Sequence, residues 1–176
     1  HYHAVVKGYS PMVEQILRLV EPSPIKTSLV SAGRPANPKI TRLIEETLPA
    51  DLVAPAAINS SIHVDLLKAA LFLWNDDFEQ AHDYSQVAQN PEGSYWHAIL
   101  HRREPDYSNS HYWYSRVGSH PVFHQMAKLY PGWKPDNFIL QCQKKKSPED
   151  AAKLLEEQLK EFELLFEHTF GQAVRK

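Results

Sequence analysis

The chain has 176 residues, of which 43% are hydrophobic and 23% are charged, a composition typical of one globular domain with its own core. Its formal net charge of -2 at pH 7 lacks the basic excess that accompanies binding to nucleic acid or to anionic membranes. We therefore expect a single domain, residues 1–176, that binds neither nucleic acid nor membranes.

Prolines break the first third of the chain, residues 1–59, into short pieces. Residues 11–20 carry apolar side chains at helical spacing behind Ser10 as N-cap, which predicts a short helix. Residues 21–37 lack a period and are rich in turn-forming residues, which predicts a loop. A second short helix is expected over residues 38–48 and ends before the next proline.

The region from residue 60 to residue 130 carries a longer helical pattern. Apolar side chains keep helical spacing over residues 60–89, with Ser60 or Ser61 as the cap. The polar residues 75–77 are the point at which this pattern can divide into two helices.

A turn is predicted over residues 90–93, after which Ser94 is expected to cap a helix that ends near Pro105. The two helical stretches then form an antiparallel helical hairpin. Residues 107–117 are either a further helix or an irregular aromatic segment, and residues 122–130 predict one more short helix.

The most strongly patterned helix is the C-terminal one, over residues 147–171. Ser147 is its expected N-cap, Pro148 its first helical residue and Gly171 its end. Its apolar stripe serves either as core or as a surface for homo-oligomer formation and comprises Leu155, Leu159, Phe162, Phe166 and Phe170. The residues expected to form its solvated face are Glu156, Glu157, Lys160, Glu161 and Glu163.

The predicted fold class is therefore mostly α, as one compact domain with a central hairpin and a long amphipathic C-terminal helix. Cys142 is the single cysteine, which excludes a disulfide within the chain and fits a reducing compartment. The longest apolar runs, such as residues 69–74, fall far short of the roughly 20 residues that span a bilayer, and no charged-then-apolar leader opens the sequence. We expect a cytoplasmic protein.

Chemistry-bearing side chains concentrate after the predicted turn. Five of the ten histidines lie between residues 94 and 124. If the hairpin turns near Pro91, residues equally distant from that point lie opposite one another, which places His82 near His101. The same geometry places Gln86 near His97, and Glu79 near Glu104.

Imidazoles and carboxylates at these spacings share helix faces and predict a metal site for zinc or iron. The expected ligands are His82, His101, Glu79 and Glu104, with Glu104 also the candidate general base. A metal-bound water that acts as a nucleophile near neutral pH would make the protein a hydrolase. Arg102 and Arg103 are expected to hold an anionic group of a small substrate.

Two other functions fit the same residues. A metal-free pocket would bind an anionic, partly aromatic ligand through the side chains of Arg102, Arg103, Arg116, Trp96, His97 and Tyr112. A protein-interaction surface would use residues 112–114 and the C-terminal helix. In a purely structural account, His97 is a packed histidine, and the residues from Arg102 to Asp106 form an ion-pair network.

The run GSYWHAILHRREPDYSN over residues 93–109, with Tyr112-Trp-Tyr-Ser-Arg-Val-Gly and His120-Pro-Val-Phe after it, is a specific string. It resembles a family of uncharacterised microbial proteins of fungal and bacterial type. The resemblance covers residues 70–125 and implies no activity, catalytic residue or cofactor, so the functional hypotheses rest on the residues themselves.

Overall fold

The computed structural model describes residues 8–176 and confirms a mostly α fold, with eleven helices in this part of the chain. The helices are α1 (Pro11–Leu19), α2 (Pro24–Thr27), α3 (Pro38–Glu46), α4 (Pro49–Val53), α5 (Ser61–Trp74), α6 (Phe78–Gln86), α7 (Pro91–Arg103), α8 (Tyr107–Val117), α9 (Pro121–Leu129), α10 (Pro135–Gln143) and α11 (Pro148–Ala173). None of these helices is both long enough and apolar enough to cross a membrane.

Proline begins eight of the eleven helices found in residues 8–176. At the first helical position the missing N–H has no acceptor to lose, and the fixed φ of proline already suits a helix. Pro24, inside the loop predicted over residues 21–37, starts α2, and Pro49, which follows the helix predicted over residues 38–48, starts α4. Helix α10, which the sequence pattern does not predict, starts at Pro135 in the same way.

Helix α7 starts earlier than predicted. The expected cap was Ser94, but the Asn90 side chain caps the helix by accepting a hydrogen bond from the Gly93 amide at 2.7 Å. Residues 91–93, predicted as part of a turn, therefore form the first turn of α7. This early start places Glu92 inside the helix, where its side chain is buried.

The predicted break at residues 75–77 is confirmed, because α5 ends at Trp74 and Asp77 caps α6. Asp76 adopts a φ of 61°, in the left-handed region that aspartate tolerates better than most residues. Its carboxylate accepts a hydrogen bond from Arg103 Nη2 at 2.8 Å and one from Ser31 Oγ at 2.9 Å. Helix α6 then packs against α7, which in turn packs against α8.

The core is centred on the long helix α11, which packs against α5, α2 and α9. The rings of Trp74 and Trp96 each lie 5.2 Å from the ring of Phe162, measured between centroids. Trp96 is fully buried and donates its indole N–H to Thr169 Oγ1 at 3.0 Å. Trp96 is therefore part of the core and does not line a ligand pocket, contrary to the sequence-based expectation.

Helix α11 departs from its prediction in two respects. It continues through Gly171 to Ala173, so the glycine does not end it. Three residues assigned to its solvated face, Glu157, Glu161 and Glu163, are buried. Part of the predicted apolar stripe packs inside the chain, since Phe162, Phe166 and Phe170 are buried, whereas Leu155 and Leu159 are only partly buried.

A buried ion pair explains why Glu161 lies in the core. Its carboxylate accepts hydrogen bonds from Arg102 Nη1 at 2.9 Å, from Tyr95 OH at 2.8 Å and from Tyr114 OH at 2.7 Å. The Arg102 guanidinium also lies 4.6 Å from the centroid of the Phe138 ring. A charge in this position is compensated by a partner charge and by two further donors.

We predict that Glu161→Gln lowers the free energy of unfolding by about 3–5 kcal/mol, because it leaves the Arg102 charge buried without its counter-ion. Urea denaturation of the variant measures this loss. The matched control is Glu156→Gln on the exposed face of the same helix, which should change stability by less than about 0.5 kcal/mol. Equal effects of the two substitutions would contradict this account of the core.

Candidate functional site

Three histidines meet between helices α6 and α7. His82 is on α6, while His97 and His101 are four residues apart on α7 and so share one face of that helix. The ring centroids of His82 and His97 are 4.7 Å apart, those of His97 and His101 are also 4.7 Å apart, and those of His82 and His101 are 6.0 Å apart. The predicted approach of His82 to His101 across the hairpin is confirmed.

This histidine triad has the dimensions of a metal-ligand set. Each ring offers one nitrogen, and these three nitrogens lie within 4.8 Å of one another. A tetrahedral zinc ion with Zn–N distances of about 2.0–2.1 Å holds its ligand nitrogens about 3.3 Å apart. The nitrogens of the triad therefore lie within about 1.5 Å of the separation that a tetrahedral zinc ion requires.

Two members of the triad are neutral at pH 7. Burial lowers the pKa of His97 to about 3, and the nearby His101 and His82 add to this shift. Burial also lowers the pKa of His101, against an opposing contribution from Glu104. A neutral imidazole keeps a lone pair on one nitrogen, which is the form that binds a metal ion.

Glu104 contacts the triad through His101. The carboxylate of Glu104, at the C-terminal cap of α7, lies 2.9 Å from His101 Nδ1, and Asp106 Oδ2 lies 4.0 Å from the same atom. A neutral His101 that donates its Nδ1–H to Glu104 keeps the lone pair on Nε2. Carboxylates orient metal-binding histidines in this way.

The group of converging donors differs from the predicted ligand set. Glu79 and Glu104 were the expected carboxylate ligands, but neither belongs to the group of converging donors, whose third member is His97. The reason is helical geometry, because residues 97 and 101 share a face and meet His82 together. Glu104 instead lies where it can orient the His101 ring.

Trp113 and Ser85 complete the walls around His97. The Trp113 ring, from α8, lies 4.2 Å from the His97 ring between centroids, at an angle of 32°. Ser85 Oγ lies 3.4 Å from His97 Nδ1. Because Trp113 is half-buried and Ser85 is buried, these contacts shield one side of the triad from water.

Arg102 and Arg103, predicted to bind an anionic ligand, do not face the triad. Arg102 is paired with Glu161 and Arg103 with Asp76, and both guanidinium groups are buried. Each residue of an α-helix is rotated by about 100° from the one before, so the two positions after His101 point to other sides of α7. Both arginines therefore hold the core together.

Two other predicted ligand-binding residues lie on the surface of α8. The Arg116 guanidinium carbon lies 5.9 Å from the Tyr112 ring centroid and 5.8 Å from the Trp113 ring centroid. Tyr112 and Arg116 are exposed, while Trp113 connects them to His97. Of the arginines predicted to bind an anion, Arg116 is thus the one whose side chain is exposed to a ligand.

A second polar cluster, which the sequence analysis missed, is built around Glu92 at the start of α7. Glu92 Oε1 lies 2.7 Å from His63 Nε2, and Glu92 Oε2 lies 2.8 Å from His120 Nε2 and 3.3 Å from His168 Nε2. These side chains come from α5, α7, the cap of α9 and α11. In the sequence, the one indication of this cluster is the position of Glu92, which comes two residues after Asn90 and so lies in the first turn of α7.

Glu92, His120 and His168 also present donors within 4.8 Å of one another, so this Glu92 cluster is a second group able to hold a metal ion. The hydrogen bond that His120 Nδ1 accepts argues against a metal ion in this cluster. The Val122 amide donates to His120 Nδ1 at 3.1 Å, so the proton of a neutral ring is on Nε2. That proton is donated to Glu92, and Nε2 has no lone pair for a metal.

The Glu92 cluster is therefore best described as a hydrogen-bond network that connects four helices. Burial by itself would raise the pKa of Glu92, but hydrogen bonds from His120, His168 and His63 outweigh burial and hold the pKa well below its usual range. The histidine triad, by contrast, has no carboxylate among its three converging donors. Of the two groups, the triad is the better metal site.

Comparison with models of protein families, with curated proteins and with solved structures gave no match to this chain. The site must therefore be interpreted from its own geometry.

We predict that the contribution of Glu92 to stability depends on pH. Because its pKa is lower in the folded state than in the unfolded state, this contribution is full above the unfolded value near 4.5 and is lost as the pH falls below it. At pH 7, Glu92→Gln should therefore lower the free energy of unfolding by about 1–3 kcal/mol.

Urea denaturation between pH 7 and pH 3 measures the difference between the two proteins, which should shrink below about pH 4.5. Glu167→Gln, at an exposed position of α11, is the control and should be nearly neutral throughout. A difference that grows on acidification below pH 4.5 would refute the assignment.

Proposed function

We propose that the protein is a metal-dependent hydrolase whose metal ion is held by His82, His97 and His101. The observation that carries the proposal is the convergence of three imidazoles, two of them neutral at pH 7, with a carboxylate behind one of them. Three protein ligands leave one position of a tetrahedral ion open to water, which is the arrangement of catalytic rather than structural zinc.

Zinc fits this donor set better than iron does. Neutral imidazole suits both metals, but the mononuclear non-haem iron sites that activate oxygen include a carboxylate among their ligands. The triad has three nitrogen donors and its nearest carboxylate, Glu104, contacts a ligand rather than the ion position. A zinc ion in this site would supply a water of lowered pKa as a nucleophile.

The residues around the triad have separate roles in this proposal. Glu104 is a positioning residue, because its hydrogen bond fixes the orientation and the tautomer of His101. Trp113 covers His97 and limits the access of bulk water to that side of the ion. Arg102 and Arg103 contribute through the core, since they hold α7 in place.

A metal-free protein that binds an anionic ligand is the second candidate function. The observation that favours it is Arg116, whose guanidinium is exposed and oriented by the Tyr112 and Trp113 rings. In this function the histidine triad would be a packed cluster without a metal ion. Metal analysis separates the two candidates.

We predict that untagged protein, stripped with a chelator, binds one zinc ion per chain in isothermal titration calorimetry. His97→Gln should weaken zinc binding by more than about 100-fold, which exceeds the effect usual for a residue outside the ligand set. The control is His111→Gln, because His111 pairs with Asp136 on the surface. Absence of zinc binding by the unaltered protein, or equal binding by the two variants, would refute the metal site.

We also predict that the zinc-loaded protein hydrolyses an activated ester, measured with p-nitrophenyl phosphate and p-nitrophenyl acetate. Glu104→Gln should lower kcat/KM by about 10–100-fold, because the amide orients His101 less firmly than the carboxylate does. Hydrolysis by the stripped protein or by His101→Gln that is as fast as hydrolysis by the zinc-loaded unaltered protein would show that the triad does not catalyse it.

A further inference from the structure

A polar cleft of about 500 Å³ lies beside the histidine triad, where the end of α6, the start of α7 and the end of α8 come together. Its volume is in the range of pockets that bind small molecules. Trp113 and Arg116 of α8 line it together with Gln86 of α6 and Ser94 of α7. The other lining residues are also uncharged, so Arg116 is the one charged group that residues 8–176 contribute to the cleft.

Arg116 is available to a ligand. None of the ion pairs formed within residues 8–176 includes it. Its guanidinium lies over the Tyr112 and Trp113 rings, which limit its movement, and Nη1 donates a long hydrogen bond of 3.5 Å to the Tyr112 hydroxyl. The group has five N–H donors, so enough of them remain for an oxyanion to accept two hydrogen bonds. The other two arginines near the triad are committed to Glu161 and Asp76.

Two walls of the cleft adjoin the triad. Trp113, on one wall, packs against the His97 ring at 4.2 Å between centroids. Gln86, on another, follows directly after Ser85, whose hydroxyl lies 3.4 Å from His97 Nδ1. At Trp113, a molecule in the cleft is therefore separated from His97 by one side chain.

We propose that this cleft is the binding subsite for the oxyanion of a small polar molecule, a carboxylate or a phosphate that Arg116 binds with two hydrogen bonds. Amide and hydroxyl groups such as those of Gln86 and Ser94 bind the polar body of the same molecule. The inference that this molecule is the substrate rests on the proposed hydrolase function, whereas its binding requires no metal ion.

Calorimetry on chelator-treated protein tests the subsite with three probes: phenyl phosphate, benzoate and the uncharged benzamide. Phenyl phosphate or benzoate should bind and benzamide should not, and the relative affinities of the first two show which oxyanion is preferred. Arg116→Gln should weaken this binding by about 10–100-fold, and Arg116→Lys by less, since lysine keeps the charge but loses the two-pronged hydrogen bond. Arg18→Gln, an exposed arginine on α1, is the control and should bind as the unaltered protein does.

The proposal is overturned if neither anion binds, if benzamide binds as well as they do, or if Arg116→Gln binds them unchanged. Zinc titration of the same Arg116→Gln variant distinguishes failure of the subsite proposal from failure of the hydrolase proposal. Zinc binding together with unchanged anion binding in Arg116→Gln rejects the subsite alone. Anion binding that depends on Arg116 in a protein that binds no zinc supports the subsite and rejects the hydrolase.

Discussion

The buried ion pair between Arg102 and Glu161 fixes helix α7 against the long helix α11, and the candidate site depends on that fixed position. One face of α7 carries His97 and His101, whereas the arginine that follows them points into the core. The pair is supported by the hydroxyl groups of Tyr95 and Tyr114, so neither charge is left uncompensated. The core can therefore hold the histidines of α7 opposite His82 without taking part in their chemistry.

The two histidine clusters differ in where the protons of their imidazole rings lie, and we propose the triad as the metal site because of this difference. Around Glu92, imidazole N–H groups are donated to one carboxylate, and the Val122 amide fixes the tautomer of His120. In the triad, the rings face one another, and burial keeps His97 and His101 neutral. Nitrogen lone pairs are thus available at the triad. At the Glu92 cluster, the ring nitrogens of His120 are instead used in hydrogen bonds that stabilise the fold.

Local features of the fold could be predicted from the sequence, whereas long-range partners could not. Helical spacing predicted the hairpin and the approach of His82 to His101, because both follow from distances along the chain. The burial of Glu161 was missed because an acidic residue on a helix is normally solvated, and its partner Arg102 is 59 residues away. The Glu92 cluster was missed for the same reason, since its histidines come from three other parts of the chain.

Anomalous diffraction at the zinc absorption edge, from crystals of untagged protein grown with zinc, tests the central claim most directly. The account predicts one ion per chain, about 2.0–2.1 Å from a ring nitrogen of each of His82, His97 and His101. An ion bound at Glu92, or three free imidazoles at full zinc saturation, would contradict it.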